Sequence, residues 1–362
     1  MKKLDESQIK RISYFYKYMA SYVRVNNNGD IIVVEKFDKD FSSTIFSQYV
    51  NLNDANKRFL RKFTDENNME SFISEFVLEL NDIISNLGND NYTDEEKILN
   101  YLEYIRLCGM YENIANFDEY RDMFGNALIS KISQTPLNII LLGKGVCASQ
   151  AKALEYLINF SNIDKFDNCS ETSIFIGKDM HSIVGAEIIK NEPETLTTFD
   201  PTTYLGTLES LQYGFKHSKI QFKTSNEYFK VNESQIKKSR ETVLKYLVNK
   251  YDIKSLLSQI DGFENASVLG KVNLIENYIM KNTVVDDLLE FGSISLKDKE
   301  IENGKMFEIM CFAAGIPVEF TCEDKKSETV YYVRCDGQIK EINFKEKYML
   351  AKEQLNEKIK LK

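Results

Sequence analysis

The sequence predicts an α+β protein: a helix packed on an antiparallel sheet, flanked by a mainly helical N-terminal region and a mixed C-terminal one. Three observations carry this. Apolar residues recur at three- and four-residue steps over 69–84, 95–107 and 148–158, the spacing of helices with a buried face. Short apolar and β-branched runs at 172–176, 181–189 and 196–200 read as strands. Beyond residue 241, helical runs alternate with strand runs at 318–321 and 330–333.

Taken in order, Ile9, Ile12, Phe15, Met19 and Tyr22 predict an amphipathic helix over 7–22, which Asn26-Asn27-Asn28-Gly29 ends. Ile31 to Val34 reads as a short strand, and 55–63 and 69–84 as helices. A Gly- and Asn-rich break at 86–91 precedes Thr93-Asp94-Glu95-Glu96, where a threonine followed three residues later by glutamate has the spacing of a capping box. The polar stretch 224–239 reads as a boundary, with a new helix from Glu241 and a last, charged one from Lys345. These breaks divide the chain into 1–90, 91–225 and 240–362.

With 362 residues, 43% of them apolar and 12% aromatic, the chain has enough material for a sizeable core. A net charge of -9 argues against a nucleic-acid partner, which needs a concentrated basic surface. No apolar run approaches the roughly 20 residues that span a bilayer, and Asp5 and Glu6 follow the first lysines where a leader peptide would be apolar. The six cysteines lack the close spacing of a disulfide framework, so a reducing, cytoplasmic setting is expected, with leaderless export as the alternative. The abundance of Lys, Asn and Ile is compatible with a bacterial origin.

The chemistry concentrates between residues 143 and 204. Gly143-Lys144-Gly145-Val146-Cys147 leads into a helix with Cys147 in its first turn, where unpaired amides and the helix dipole favour the nucleophilic thiolate. The two glycines let the backbone approach a substrate closely. His181 opens the second strand at its loop end. There an imidazole can pair with a thiolate and later protonate a leaving group. Asp200, before Pro201, closes the third strand, where a carboxylate can accept a hydrogen bond from His181 and orient it. Taken singly, each residue has a blander reading: a buried structural cysteine, a strand histidine, a turn aspartate. His217, the second of only two histidines, lies beyond the predicted strands and serves as a control.

Together, Gly145, Cys147 and Ala151, then His181, then Asp200-Pro201-Thr202 resemble the transglutaminase-like superfamily of papain-like cysteine enzymes, bacterial type. The resemblance covers about residues 93–204. It implies a Cys147–His181–Asp200 triad; independently, no cysteine pair has zinc-site spacing and the two histidines stand alone, so no required cofactor is expected. A helix followed by a tyrosine precedes the nucleophile in many bacterial members, and Tyr111 matches that residue. The tryptophan often found two residues after the histidine is Ile183 here. An oxyanion donor must therefore come from Tyr111, Gln134 or the Cys147 amide.

The implied activity is cysteine-dependent amide hydrolysis of a protein or peptide through a thioester, as in a peptidase or amidase. The alternatives are a protein-glutamine transglutaminase or deamidase, which shares the first half-reaction, and an inactive binding or scaffold module. A flank that covered the cleft would make activity depend on a partner, a cut or a conformational change.

Overall fold

The computed structural model describes residues 23–25, 31–33, 69–111, 136, 138–161, 163, 165–166, 168–176, 179–187, 196–216, 229–284, 291–297, 299–323 and 328–360. The helices expected over 7–22 and 55–63, Gln134 and His217 lie outside them. Within these residues the chain is a mixed α+β protein with small, mainly antiparallel sheets.

The strand expected at 31–34 is β2 (Ile31–Val33), paired antiparallel with β1 (Val23–Val25). Helix α1 (Met69–Leu87) is followed by α2 (Asp94–Cys108). The capping box predicted at Thr93 is formed: the Glu96 amide donates to the Thr93 hydroxyl at 3.3 Å and the Thr93 amide to the Glu96 carboxylate at 3.0 Å. Every residue of α2 from Lys97 to Cys108 is buried.

Two-residue strands β3 (Met110–Tyr111) and β4 (Lys144–Gly145) pair in parallel, with a π-helical turn at Asn138–Leu142 just before β4. Helix α3 (Cys147–Asn159) then packs on the antiparallel sheet of β5 (Asn168–Ile176), β6 (Asp179–Glu187) and β7 (Leu196–Phe199). Val184, Ala186 and Phe199 lie in the hydrophobic core with Ala151, Leu154 and Leu157 of α3.

Helix α4 (Leu208–Lys216) leads on to α5 (Glu233–Lys250). The sequence places the start of α5 at Glu241, and the structure moves it eight residues earlier. Asn232 and Gln235 form a second capping box, and the first turns are mostly polar because they face outward.

Short helix α6 (Ile253–Ser258) and helix α7 (Val268–Asn282) precede a hairpin of β8 (Ser293–Leu296) and β9 (Lys299–Glu302). Helix α8 (Asn303–Ala313) then enters the meander β10 (Val318–Glu323), β11 (Glu328–Cys335) and β12 (Gln338–Asn343), and α9 (Phe344–Lys360) closes the chain. β12 escapes the sequence pattern because its two isoleucines are three apart: Ile342 is buried and Ile339 is 64% exposed. One hydrophobic cluster runs from Phe76 in α1 to Phe344 in α9.

Candidate active site

Cys147 is the first residue of α3, where backbone amides have no partner within the helix. Of Cys108, Cys147, Cys169, Cys311 and Cys335, it is the one not fully buried. His181 is the third residue of β6 and lies opposite Ile174 of β5. The register places Asp200 on the same face: Phe199 pairs with Val184, so the next residue falls on the face of Ile183 and His181.

The three residues meet. His181 Nε2 donates to Asp200 Oδ2 at 2.8 Å, and the contact between His181 and Cys147 then falls to Nδ1. Asp200 is itself held by a turn, its Oδ1 accepting from the amides of Thr202 at 3.0 Å and Thr203 at 3.3 Å.

The charges follow from this geometry. Partial burial opposes the Cys147 thiolate, but the hydrogen bond from His181, the Ser182 amide, the imidazolium charge and the Ala148 amide outweigh it and hold the thiol below its ordinary value. Burial likewise opposes the His181 cation. Hydrogen bonds to Asp200 and Cys147, and their charges, overcome it and raise its pKa to about 10. Both shifts favour a thiolate–imidazolium pair at neutral pH. Cys108 is the contrast, since burial pushes its thiol up to about 11. Burial also raises Cys169, Cys311 and Cys335.

Of the three oxyanion donors the sequence leaves open, Tyr111 reaches the nucleophile. Its register partner is Gly145, two residues before Cys147. Although 45% of its surface is exposed, its hydroxyl is desolvated against the Cys147 sulfur, and burial together with the Cys147 charge raises it to about 12. The Cys147 amide opens α3. Ile183, two residues after His181, is buried.

The glycine before β4 serves a different end from the one its sequence suggests. Gly143 has φ +76°, and a side chain there would begin 2.2 Å from the Glu300 carbonyl and 2.9 Å from that of Cys108. The close approach is therefore to the protein's own backbone. The Gly143 carbonyl accepts from the Met110 amide at 2.8 Å, tying β3 to the segment that carries Cys147.

Behind this segment the buried Lys144 meets Glu300 at 3.3 Å, and Ser293 donates to the same carboxylate at 3.1 Å. The sequence reading did not single out this pair. A lysine set between two glycines just ahead of the nucleophile was the local sign, and its partner lies 156 residues away.

Among the described residues no group of histidine, cysteine or carboxylate side chains is arranged to hold a metal ion, and no helix is long and apolar enough to cross a membrane. No protein-family model, curated protein or solved structure matches the chain.

Proposed function

We propose that the protein is a cysteine-dependent amide hydrolase of the transglutaminase-like kind, a peptidase or amidase, with Cys147 as nucleophile. The observation that carries this reading is the contrast of Cys147 with Cys108, Cys169, Cys311 and Cys335: of these five, the cysteine at a helix start, beside a histidine bound to a buried carboxylate, is the one whose thiolate is favoured.

The Cys147 thiolate adds to the amide carbonyl carbon and the oxygen takes up the negative charge. The Cys147 amide and the Tyr111 hydroxyl, which adjoins the Cys147 sulfur, are the donors assigned to that charge. Nδ1–H of His181 then protonates the leaving nitrogen, the C–N bond breaks and a thioester remains. The now neutral imidazole takes a proton from water as the water oxygen attacks the thioester. The carboxylic acid leaves and the thiolate–imidazolium pair is restored. Asp200 holds the ring orientation through both halves. An amine in place of water gives transamidation from the same thioester.

The test is intact-mass detection of an acyl adduct on Cys147 during incubation with peptide and glutamine-amide panels, with and without a primary amine. Adduct formation and turnover that vanish in Cys147→Ala support the reading, and amine incorporation selects transfer over hydrolysis. An unreactive Cys147 with an ordinary thiol pKa would move the protein to the binding-module class.

A further inference from the structure

The segment that follows Asp200 runs into a group of charges, buried except for the half-buried Arg240, none of which belongs to the triad. Arg240 of α5 donates from Nη2 to the Gly206 carbonyl at 2.6 Å and from Nε to Glu103 at 3.1 Å. Glu103 also accepts from Arg106 at 2.7 and 3.0 Å. Arg106 in turn grips Glu308 of α8 with two hydrogen bonds, at 2.8 and 3.1 Å. Both guanidinium groups lie over the Phe320 ring of β10, at 5.0 Å for Arg106 and 4.6 Å for Arg240.

The segment is shaped to this cluster. Gly206 has φ +78°, and a Cβ there would sit 2.6 Å from Arg240 Nη2 and 3.1 Å from Arg106 Nε. The buried Tyr204 ring places its hydroxyl beside Glu103. The Ser210 hydroxyl accepts from the Leu205 and Thr207 amides at 3.0 and 3.2 Å. At its other end the segment is closed by the two amides on Asp200 Oδ1. A buried Arg106 and a half-buried Arg240 matched by the buried Glu103 and Glu308 bring little net stability over apolar packing, but they set positions in space closely.

We propose that Arg240, backed by Glu103 and Arg106, is a positioning residue for the proposed active site: by holding the Gly206 carbonyl it sets the course of residues 200–206 and thereby the direction in which Asp200 presents its carboxylate to His181. This rests on the cysteine-hydrolase reading, and it makes α5 and α8 part of the catalytic apparatus.

The test reads His181 directly. The chain has two histidines, so histidine-labelled full-length protein, with His217→Gln for assignment, gives a separate NMR titration for His181, whose ring faces Cys147 and Asp200. The variants are Arg240→Met combined with Glu308→Gln, which removes one charge of each sign, and Arg240→Lys, which keeps the charge but loses the fork. Arg334→Met, from an exposed pair with Glu319, is the control for general effects, and Asp200→Asn sets the scale of complete loss.

The expected result is a His181 pKa lowered by about one pH unit or more in the double variant and by less in Arg240→Lys, while Arg334→Met titrates as wild type. Cys147 alkylation near pH 7 slows in parallel. A folded double variant whose His181 titrates as wild type overturns the proposal, whatever its melting temperature. If the double variant does not fold, Arg240→Lys decides, and an unchanged value there overturns it equally. A wild-type His181 titrating near the free value of about 6.5 would instead remove the cysteine-hydrolase reading, and this inference with it.

Discussion

Replacing Asp200 by Asn tests the site at the point where charge and geometry separate. The amide oxygen can still accept from the Thr202 and Thr203 amides, so the turn should survive. The NH2 group then takes the place of Oδ2, 2.8 Å from His181 Nε2, and sets donor against donor. The neutral ring relieves this by moving its hydrogen to Nδ1, which can then no longer take the thiol proton. The lost carboxylate charge acts in the same direction.

An opposite charge at this distance is worth about 1–3 pH units, so His181 should fall from about 10 to about 7–9. With each unit worth a factor of ten, amide turnover by the proposed mechanism should drop about 10- to 1,000-fold, and the acid limb of Cys147 alkylation should move up towards about 8.5. NMR titration of His181 and pH-dependent carbamidomethylation with peptide mapping measure both. A variant in which His181 still titrates near 10 and Cys147 labels as in wild type would refute the assignment of Asp200 as the source of the imidazolium.

Tyr111→Phe should lower kcat about 100-fold with little change in KM if the hydroxyl stabilises the developing oxyanion; a change in KM alone would move Tyr111 to substrate binding. Gly143→Ala should cost about 2 kcal/mol or more in urea unfolding, from the positive φ and the contact with the Glu300 carbonyl, and an unchanged midpoint would contradict the described course of β4. Glu103 provides a test in acid. Burial raises its carboxyl, but Arg106 and Arg240 outweigh burial and hold it below the ordinary 4.5. Its folded value being the lower one, its stabilisation is present above about 4.5 and is lost as pH falls through the folded value. Glu103→Gln should therefore be less stable at neutral pH, by about 3–5 kcal/mol, with a shallower acid loss; parallel curves for the two proteins would count against the network.

The parts that sequence reveals are those written in neighbouring residues. The Thr93–Glu96 capping box, the strands around His181 and the Asp200-Pro201 strand end are all local signals, and together they outline the triad and the α3–sheet layer. What stays hidden depends on residues far apart in the chain. Lys144 finds Glu300, Arg106 finds Glu308 and Arg240 finds Glu103 across 156, 202 and 137 residues, and no spacing rule announces such pairs. The early start of α5 is an intermediate case. Asn232 and Gln235 carry a capping signal, but the polar turns after it lack the apolar stripe that marks a helix. Tyr111 could be named from sequence, yet only the parallel pairing of β3 with β4 brings its hydroxyl to the sulfur.

Helix α2 has water on no side from Lys97 to Cys108, and its covers come from both halves of the chain: α1 and α3 before the sheet, α5 and α8 after it. Its amide hydrogens can then exchange with solvent only when the whole molecule opens, so they should report the global unfolding free energy, while the exposed turns of α5 exchange by local fraying. For the same reason a fragment ending near residue 225 would leave a charged helix face uncovered. Protease trimming should not release a smaller folded unit, and the Cys147–His181–Asp200 arrangement should appear and disappear with the rest of the fold in one cooperative step.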